Sequence, residues 1–596
     1  MGNDQRADRP VRIANCSGFF GDRMSALSEV VRGGPVDVVT GDYLAEVTML
    51  VLAKNRMKDP EAGYAASFLR QVEPVLAELA ERGIKVVVNA GGLNPAGLAA
   101  ATRALCQRAG VSLRVAHIEG DDLSSRLAEL QDTGMPLSNL DSGEPLATWD
   151  KDPLTANAYL GGWGIAAALE RGADIVICPR VTDASVIVGA AAWWHRWPVD
   201  AWDELAGAVV AGHVIECGTQ ATGGNYSGFT RLGDLGRPGF PIAEIAPDGT
   251  SRITKHAGTG GAVTVGTVTA QLLYEIQGLD YLNPDVSTRL DSIELTESDR
   301  DVVEITGVRG DPPPSTTKVS ITALGGFQNG ASFVLTGLDI EQKAALVESA
   351  LRERLTPESG VTEMRFEVVG TAADDPGNQL AGSCLLRVAV RGEERAVGRS
   401  FFNALVELAL ANYPGLYMAG GSARVASSYG AYWPAVVPQS VLEHTVVLDD
   451  GEGFAIDQPP ARDAESRISP PPSSPWRDWG ETVSTPLGRV FDARSGDKGG
   501  NANVGLWTRG PIAFEWLWEV LTADQLHALL PETEGLEIER YVLPKLRAVN
   551  FVVKGLLDGG ATDTLRFDSQ AKALGEYVRS RHMQLPRVLL EGLAAS

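Results

Sequence analysis

Ile84-Lys85-Val86-Val87-Val88-Asn89-Ala90-Gly91-Gly92-Leu93-Asn94-Pro95, continued by Leu98 to Ala109 and closed by Gly110, reads as a strand, a glycine turn and a helix. The β-branched run from Ile84 to Asn89 predicts the strand. Asn94 is suited to cap the helix, Pro95 occupies the first helical position where its missing N–H costs nothing, and Gly110 supplies the C-terminal stop. On either side of this unit, Val11 to Asn15, Val36 to Thr40, Ser112 to His117 and Asp174 to Cys178 are further short apolar runs, separated by segments long enough for helices. In one such segment Phe68, Leu69, Val72, Val75, Leu76 and Leu79 repeat at helical spacing; Pro74 predicts a kink within it and Gly83 its end. Alternating strand and helix implies βα crossovers, and so an α/β fold with a mainly parallel sheet in the N-terminal region.

Residues 211 to 311 are glycine-rich, with a helix expected near Thr267 to Ile276 and no assignable topology. Strands at Val302 to Val308, Thr317 to Ala323, Met364 to Val369 and Cys384 to Val390, with helices at Ile340 to Leu355 and Val397 to Ala411, predict an α+β layer distinct from the first sheet. The main region is thus read as 11–455, with a break between subdomains near 300–335. Prolines crowd 456–485, as in Ser469-Pro470-Pro471-Pro472, which predicts a linker. Residues 486–590 then form a small α+β domain, in which Leu487 to Phe491 and Asn503 to Trp507 are strands, Phe514 to Leu530 a helix, Ile538 to Val542 and Ala548 to Val553 strands, and Thr564 to Arg579 a helix.

Fifty-two Lys and Arg against 76 Asp and Glu leave a formal charge of −24 over 596 residues, and no dense basic run exists to displace counterions. Nucleic acid is therefore not an expected partner. No apolar run reaches the roughly 18 residues that span a bilayer, and Met1 to Pro10 is too polar for a signal peptide. Five scattered cysteines without a CxxC pair fit a reducing cytoplasm better than a disulfide framework. The 66 glycines cluster in pairs, so backbone is expected to approach ligands or other backbone closely in several loops.

In an open parallel sheet ligands bind beyond the carboxyl ends of the strands, so the residues just past each strand are the candidates for a site. Asn89 to Asn94, with Gly91 and Gly92, would present helix N-terminal amides to an anion; the alternative is a tight turn with no ligand. It is neither a P-loop nor a GxGxxG fingerprint. Asp42 and Glu46 are four apart and would share a helical face, as an acid and base pair or simply as favourable acidic residues in a first turn. Arg180 and Asp183 read as a strand-end ion pair. His213, Glu216 and Cys217, followed by Gly223, Gly224 and Asn225, gather reactive types in a glycine-rich loop region, where Cys217 is either a nucleophile or an inert packing thiol. Lys255 and His256 precede a second glycine loop and would polarise a carbonyl or hold an acidic group; the alternative is a plain surface loop. Asp497 and Lys498 lie in Asp492 to Asn503, expected to be a long charged loop between two strands that binds ligand or docks the last domain. No ligand-spaced His/Cys/Asp cluster matches a metal motif, so no metal site and no cofactor are assigned, with a divalent metal left open.

Gly41-Asp42-Tyr43-Leu44-Ala45-Glu46, Asn89-Ala90-Gly91-Gly92-Leu93-Asn94-Pro95, Ala158-Tyr159-Leu160-Gly161-Gly162-Trp163-Gly164, Glu216-Cys217-Gly218 and Thr254-Lys255-His256 together resemble the acyclic terpene utilisation AtuA family. The tail with Arg494-Ser495-Gly496-Asp497-Lys498-Gly499 resembles the ferredoxin-like domain often fused behind it. Pro179 departs from the family pattern, which has glycine there. The resemblance implies breakdown of acyclic terpenols, whose acids are processed as coenzyme A thioesters. It carries over no catalytic residue. The expected function is a catabolic enzyme acting on a branched or acyclic-terpenoid acyl-CoA or carboxylate by hydration, dehydration or carbon–carbon lyase chemistry. In that reading Glu46 or Asp42 is the base, His256 or His213 the acid, and the Asn89 to Asn94 backbone the anion site. Coenzyme A enters only as substrate carrier, and the partner is a small acyl molecule, with neither nucleic acid nor membrane; size and loops leave room for a homo-oligomer. Two alternatives are a non-catalytic subunit that organises other enzymes and a Cys217-dependent acyl transferase or hydrolase.

Overall fold

In the computed structural model, which describes residues 7–420, 423–463, 467 and 478–591, the Ile84 to Gly110 stretch is the βα unit expected from sequence. The strand is Lys85–Val88 and the helix Pro95–Ala109, with the Asn94 side chain accepting from the Gly97 amide and Gly110 left-handed at φ 67. Pro74 sits in a 3-10 turn, Glu73–Val75, that splits the preceding helix into Ser67–Val72 and Leu76–Arg82.

Five strands, Val11–Asn15, Val38–Gly41, Lys85–Val88, Ile175–Ile177 and Val115–Glu119, lie side by side in that order and run parallel. The register pairs Ile13 with Val38 and Val87 with Val176. Antiparallel strands extend both edges to eleven: four built from 241–306 on one side, and Thr445–Val447 with Gly453–Ala455 on the other. One face is covered by Ala26–Gly33, the split helix and Pro95–Ala109, whose Leu27, Val30, Phe68, Leu76 and Leu98 are buried against Val39, Val86 and Val88. The other face is covered by Trp163–Glu170, Ser185–His195 and Trp202–Ile215. The last two are apolar nearly all round and almost wholly buried, as expected of helices in the interior of a large α/β unit.

A second sheet forms around the 21-residue strand Thr316–Thr336. Its first half pairs with Pro153–Ala158 and Ser427–Pro438, its second half with Ser383–Gly392 and Tyr417–Ala419. The strand Pro153–Ala158 thus leaves the first layer to join the α+β layer, and the two sheets are stitched by one continuous chain. Among the linker's prolines, those from Ser469 to Pro475 lie outside the described residues.

The C-terminal unit is a four-stranded antiparallel sheet, ordered Asp492–Lys498, Asn501–Trp507, Ala548–Val553, Ile538–Leu543, packed against helices Pro511–Val520, Ala523–Leu529 and Leu574–Ser580. Four expectations are corrected. Leu487 to Phe491 is not a strand; a 3-10 turn, Leu487–Arg489, precedes the strand that begins at Asp492. The helix expected over Phe514 to Leu530 is two helices, and the one expected over Thr564 to Arg579 is confined to Leu574–Ser580. Asp492 to Asn503 is not a loop but a tight hairpin turning at Gly499-Gly500.

Candidate functional site

Three of the five parallel strands end at one cavity of about 480 Å³. Gly18 and Phe19 lie beyond the first strand, Asp42 and Leu44 beyond the second, and Arg180 and Asp183 beyond the strand Ile175–Ile177. Glu216 and Cys217 enter at the end of the buried helix Trp202–Ile215, and Tyr274 and Glu275 just beyond Val265–Leu272. Asp497, Lys498, Gln570 and Lys572 close it from the C-terminal unit.

That closure depends on tight docking of the hairpin. A Cβ on Gly496 would lie 2.3 Å from the Tyr274 ring, so only glycine lets the strand lie there. Arg494 reaches into the main region, bonding Gln220 and the Asn225 carbonyl with its guanidinium 4.2 Å over Tyr274. Asn503 donates to the Leu273 carbonyl at 2.6 Å and accepts from the Glu275 amide at 3.0 Å. On the far side of the turn the Asp141 carboxylate accepts from the Gly500 amide and the Asn501 side chain.

Inside the cavity charges are held in fixed relations. Arg180 is buried and donates to Asp183 at 2.7 Å and to the Leu44 carbonyl at 3.0 Å, with its guanidinium 4.2 Å from the centre of the Tyr159 ring. Its backbone amide is held by Asp121, whose own carboxyl burial pushes up to about 7. Asp42 is buried and accepts from the Asn89 side chain at 2.5 Å and from the Leu44 amide at 3.0 Å. Burial and the charge of Asp183 nonetheless raise its carboxyl well above the ordinary range, against the opposing pull of Arg180 and Asn89. Glu216 is raised in the same way, by burial first and then by Asp183 and Glu275. Its Oε1 meets His213 Nδ1 at 3.2 Å, while Oε2 has no partner among the described residues. Burial works against the Lys498 ammonium, but Glu275, 3.4 Å away, leads the charges that outweigh it and keep the lysine charged. The cavity therefore juxtaposes carboxyls whose protons burial holds more tightly with a lysine that neighbouring charges keep cationic, an arrangement suited to general acid and base chemistry.

Of the residues singled out from sequence, Asp42, Arg180, Asp183, Glu216, Cys217, Asn225, Asp497 and Lys498 line this cavity. Glu46 opens the helix Glu46–Lys58, but its side chain lies outside the described residues. Asn89 stands behind Asp42 and positions it. Several expectations are corrected. Burial and Asp183 make the Asp42 carboxyl hold its proton more tightly than an ordinary carboxylate, which runs against the role of ready base expected for it. The Gly91, Gly92, Leu93 and Asn94 amides are spent on the carbonyls of Cys178, Asn89, Gly63 and Gly91, so that turn presents no anion site. Gly92 is there for its φ of 50 under the Leu52 side chain. His256 bonds the Val30 carbonyl, 2.8 Å away beneath Gly33 and Gly34, and Lys255 bonds the Thr259 carbonyl and Asp301; neither reaches the cavity. His213 is buried behind Glu216, and burial lowers it to about 4, which leaves it neutral rather than an imidazolium acid. Gly223 and Gly224 bond back to Gln220 and Thr219 and shape the turn that delivers Asn225. Burial and the charges of Glu216, Glu275 and Asp42 raise the Cys217 thiol well above the ordinary range, which disfavours the thiolate that a nucleophile needs.

Glu275, Tyr274, Tyr159, Gln220, Gln570, Lys572 and the paired Phe19 and Phe20 are cavity residues that sequence reasoning missed. Tyr274 and Glu275 read as the tail of an amphipathic helix, and no local signal separates them from it. Glu275 adopts φ 60, an unusual conformation for a non-glycine residue, which a sequence alone does not announce. Among the described residues no group of three or more His, Cys, Asp and Glu is arranged to hold a metal ion, and no helix is long and apolar enough to cross a membrane.

The two parts that meet at the cavity coincide with two family matches. Residues 11–448 match the model described as acyclic terpene utilisation family protein AtuA, and residues 485–584 match the AtuA ferredoxin-like domain. No curated protein and no solved structure matches the chain. Because the first match spans the whole strand-end half of the cavity and the second supplies its closing hairpin, the chain belongs to the acyclic terpene utilisation AtuA family and carries the family's ferredoxin-like domain at its C-terminal end.

Proposed function

We propose that the chain is a catabolic enzyme whose interdomain cavity takes a branched or acyclic-terpenoid acyl substrate, as the thioester or the free acid, and adds or removes water. The family's part in acyclic terpene utilisation supports the substrate class. The observation that carries the chemistry is that Glu216, buried with Oε2 unpartnered among the described residues and its proton held more tightly than usual, lines the same cavity as Asp183, to which Arg180 donates at 2.7 Å. Asp183 takes a proton from water as the hydroxyl adds to the β-carbon of an enoyl substrate, and Glu216 returns a proton to the α-carbon. Lys498 faces the carbonyl oxygen and offsets the charge that develops on it as the enolate forms. Dehydration runs the same steps backwards. The same groups also serve carbon–carbon cleavage of a 3-hydroxyacyl substrate, with the base on the hydroxyl and the acid protonating the departing α-carbon.

Support for enzymatic action over a purely organising role comes from the C-terminal unit, which contributes Asp497, Lys498, Gln570 and Lys572 to the cavity wall. The test is to incubate the protein with branched 2-enoyl and 3-hydroxyacyl thioesters and their free acids, and follow water gain, water loss or chain cleavage by mass. Turnover that disappears in Glu216→Gln while ligand-induced thermal stabilisation persists supports the reading. Absence of both turnover and stabilisation with every acyl compound sinks it.

A further inference from the structure

A second interdomain pocket, of about 550 Å³, lies at the seam of the main region and the C-terminal unit and shares no residue with the cavity described above. Four cations line it, Arg231 from the main region and Arg509, Lys545 and Arg547 from the C-terminal unit, against the single acidic residue Glu297. In a chain of net charge −24 such a local excess runs against the overall field. Arg231 is paired with Asp492 and Lys545 with Glu294. Arg509 and Arg547 have no carboxylate partner among the described residues; the Arg547 guanidinium bonds only the Arg509 carbonyl there. Arg547 also holds φ 50 in the turn between Ile538–Leu543 and Ala548–Val553, where glycine or asparagine would be relaxed. Two exposed guanidiniums, one of them on a left-handed residue, thus stand side by side at the pocket with no carboxylate on either among the described residues.

We propose that this seam pocket binds a compact phosphate-bearing anion, a pyrophosphate or phosphomonoester group, separately from the acyl cavity. Guanidinium forks match phosphate oxygens in pairs, and the two guanidiniums without a carboxylate, Arg509 and Arg547, flanked by the paired Arg231 and Lys545, suit a phosphate group better than a single carboxylate. The anion would bridge residues of both units and so strengthen their docking. The helix Val265–Leu272 begins at this pocket, with Val265, Gly266 and Thr269 in its wall, and ends just before Tyr274 and Glu275 of the acyl cavity.

Calorimetry and thermal shift on the full chain at low salt, with inorganic pyrophosphate, orthophosphate, adenosine diphosphate and adenosine, test this directly. Pyrophosphate is expected to bind and raise the melting temperature, and Arg509→Gln and Arg547→Gly each to weaken it about ten-fold. Glycine is relaxed at the Arg547 conformation, so Arg547→Gly is expected to fold, and Arg509 is exposed enough for its replacement to leave the core intact. Adenosine diphosphate binding with adenosine silent assigns the site to a nucleotide's phosphates; pyrophosphate binding alone assigns it to an inorganic anion. No shift with any of the phosphates overturns the proposal, as does binding that survives the double variant. Acyl ligands are left out of these titrations, so failure here leaves the reading of the acyl cavity untouched.

Discussion

Lys498, at the end of the C-terminal strand Asp492–Lys498, holds its Nζ 3.4 Å from Oε2 of Glu275, which stands just past the helix Val265–Leu272 of the main region. One charge pair thus joins the two family-matched parts at the wall of the strand-end cavity. Glu275 is fixed from behind, since its amide donates to Asn503 of the same hairpin. A ligand oxygen that approaches Lys498 meets an ammonium already oriented and charged, which is what preorganised stabilisation requires.

Lys498→Met is expected to lower kcat on any acyl substrate by about a hundred-fold, the loss typical of removing a donor aimed at a developing oxyanion. Steady-state kinetics checks this. A change confined to KM would place Lys498 in ground-state binding instead.

Asn89 spends its side-chain amide on two buried partners, donating to Asp42 at 2.5 Å and accepting from the Tyr43 amide at 2.7 Å. Asn89→Ala removes both bonds in a fully buried place and is expected to cost about 2–4 kcal/mol in urea unfolding. A loss below about 1 kcal/mol would mean that water replaces the amide.

The elements legible in the sequence are those whose signals are local. Asn94, Pro95 and Gly110 bound their helix where expected because capping and left-handed glycine act within a few residues. The hairpin Asp492 to Asn503 reads as a loop because Asp492, Arg494, Ser495, Asp497 and Lys498 carry none of the alternation of an isolated strand. Its burial comes from Tyr274, Leu273 and Gln220 of the main region, which no window of sequence contains. The Gly91-Gly92 turn misleads for the opposite reason. Its residue types are right for an anion, but whether an amide meets a ligand or the Cys178 carbonyl depends on where the distant strand Ile175–Ile177 ends. Asp42, Arg180 and Asp183 are legible because the strand-end rule is a property of the sheet and not of the segment.

Stability is expected to depend on pH through Asp121, which burial raises from 3.8 to about 7. The native chain keeps this proton where the unfolded chain has released it. Its contribution is therefore fully present below about pH 4 and is lost as pH rises toward 7. Asp121→Asn keeps the shape without the proton, so its unfolding free energy should gain on the wild type by more than about 1 kcal/mol between roughly pH 5 and pH 8. A difference that stays constant with pH would show that Asp121 is ionised in the fold.

Cys217 is expected to react with iodoacetamide near neutral pH more slowly than a free small thiol, because burial and the charges of Glu216, Glu275 and Asp42 all disfavour its thiolate. Cys217→Ala should keep acyl turnover. Rapid alkylation of Cys217 coupled to loss of activity would restore the thiol to a catalytic role.

The cavity's apolar side is set by Phe19, Phe20, Leu44 and Val47, of which Phe19 is half exposed and packs edge-on to Phe20 with ring centroids 6.0 Å apart. An exposed aromatic pair at the lip of a charged cavity is apolar surface that a bound chain would cover. Each methylene seated against it is worth about 0.8 kcal/mol, so affinity should rise roughly four-fold per added carbon until the chain clears the rings. Phe19→Ala with Phe20→Ala is expected to flatten that dependence while leaving the short-chain affinity close to wild type. Competition binding across a series of acyl lengths measures the slope. An equal loss at every length would mean that the two rings shape the fold of the 16–22 loop and do not read the substrate's chain.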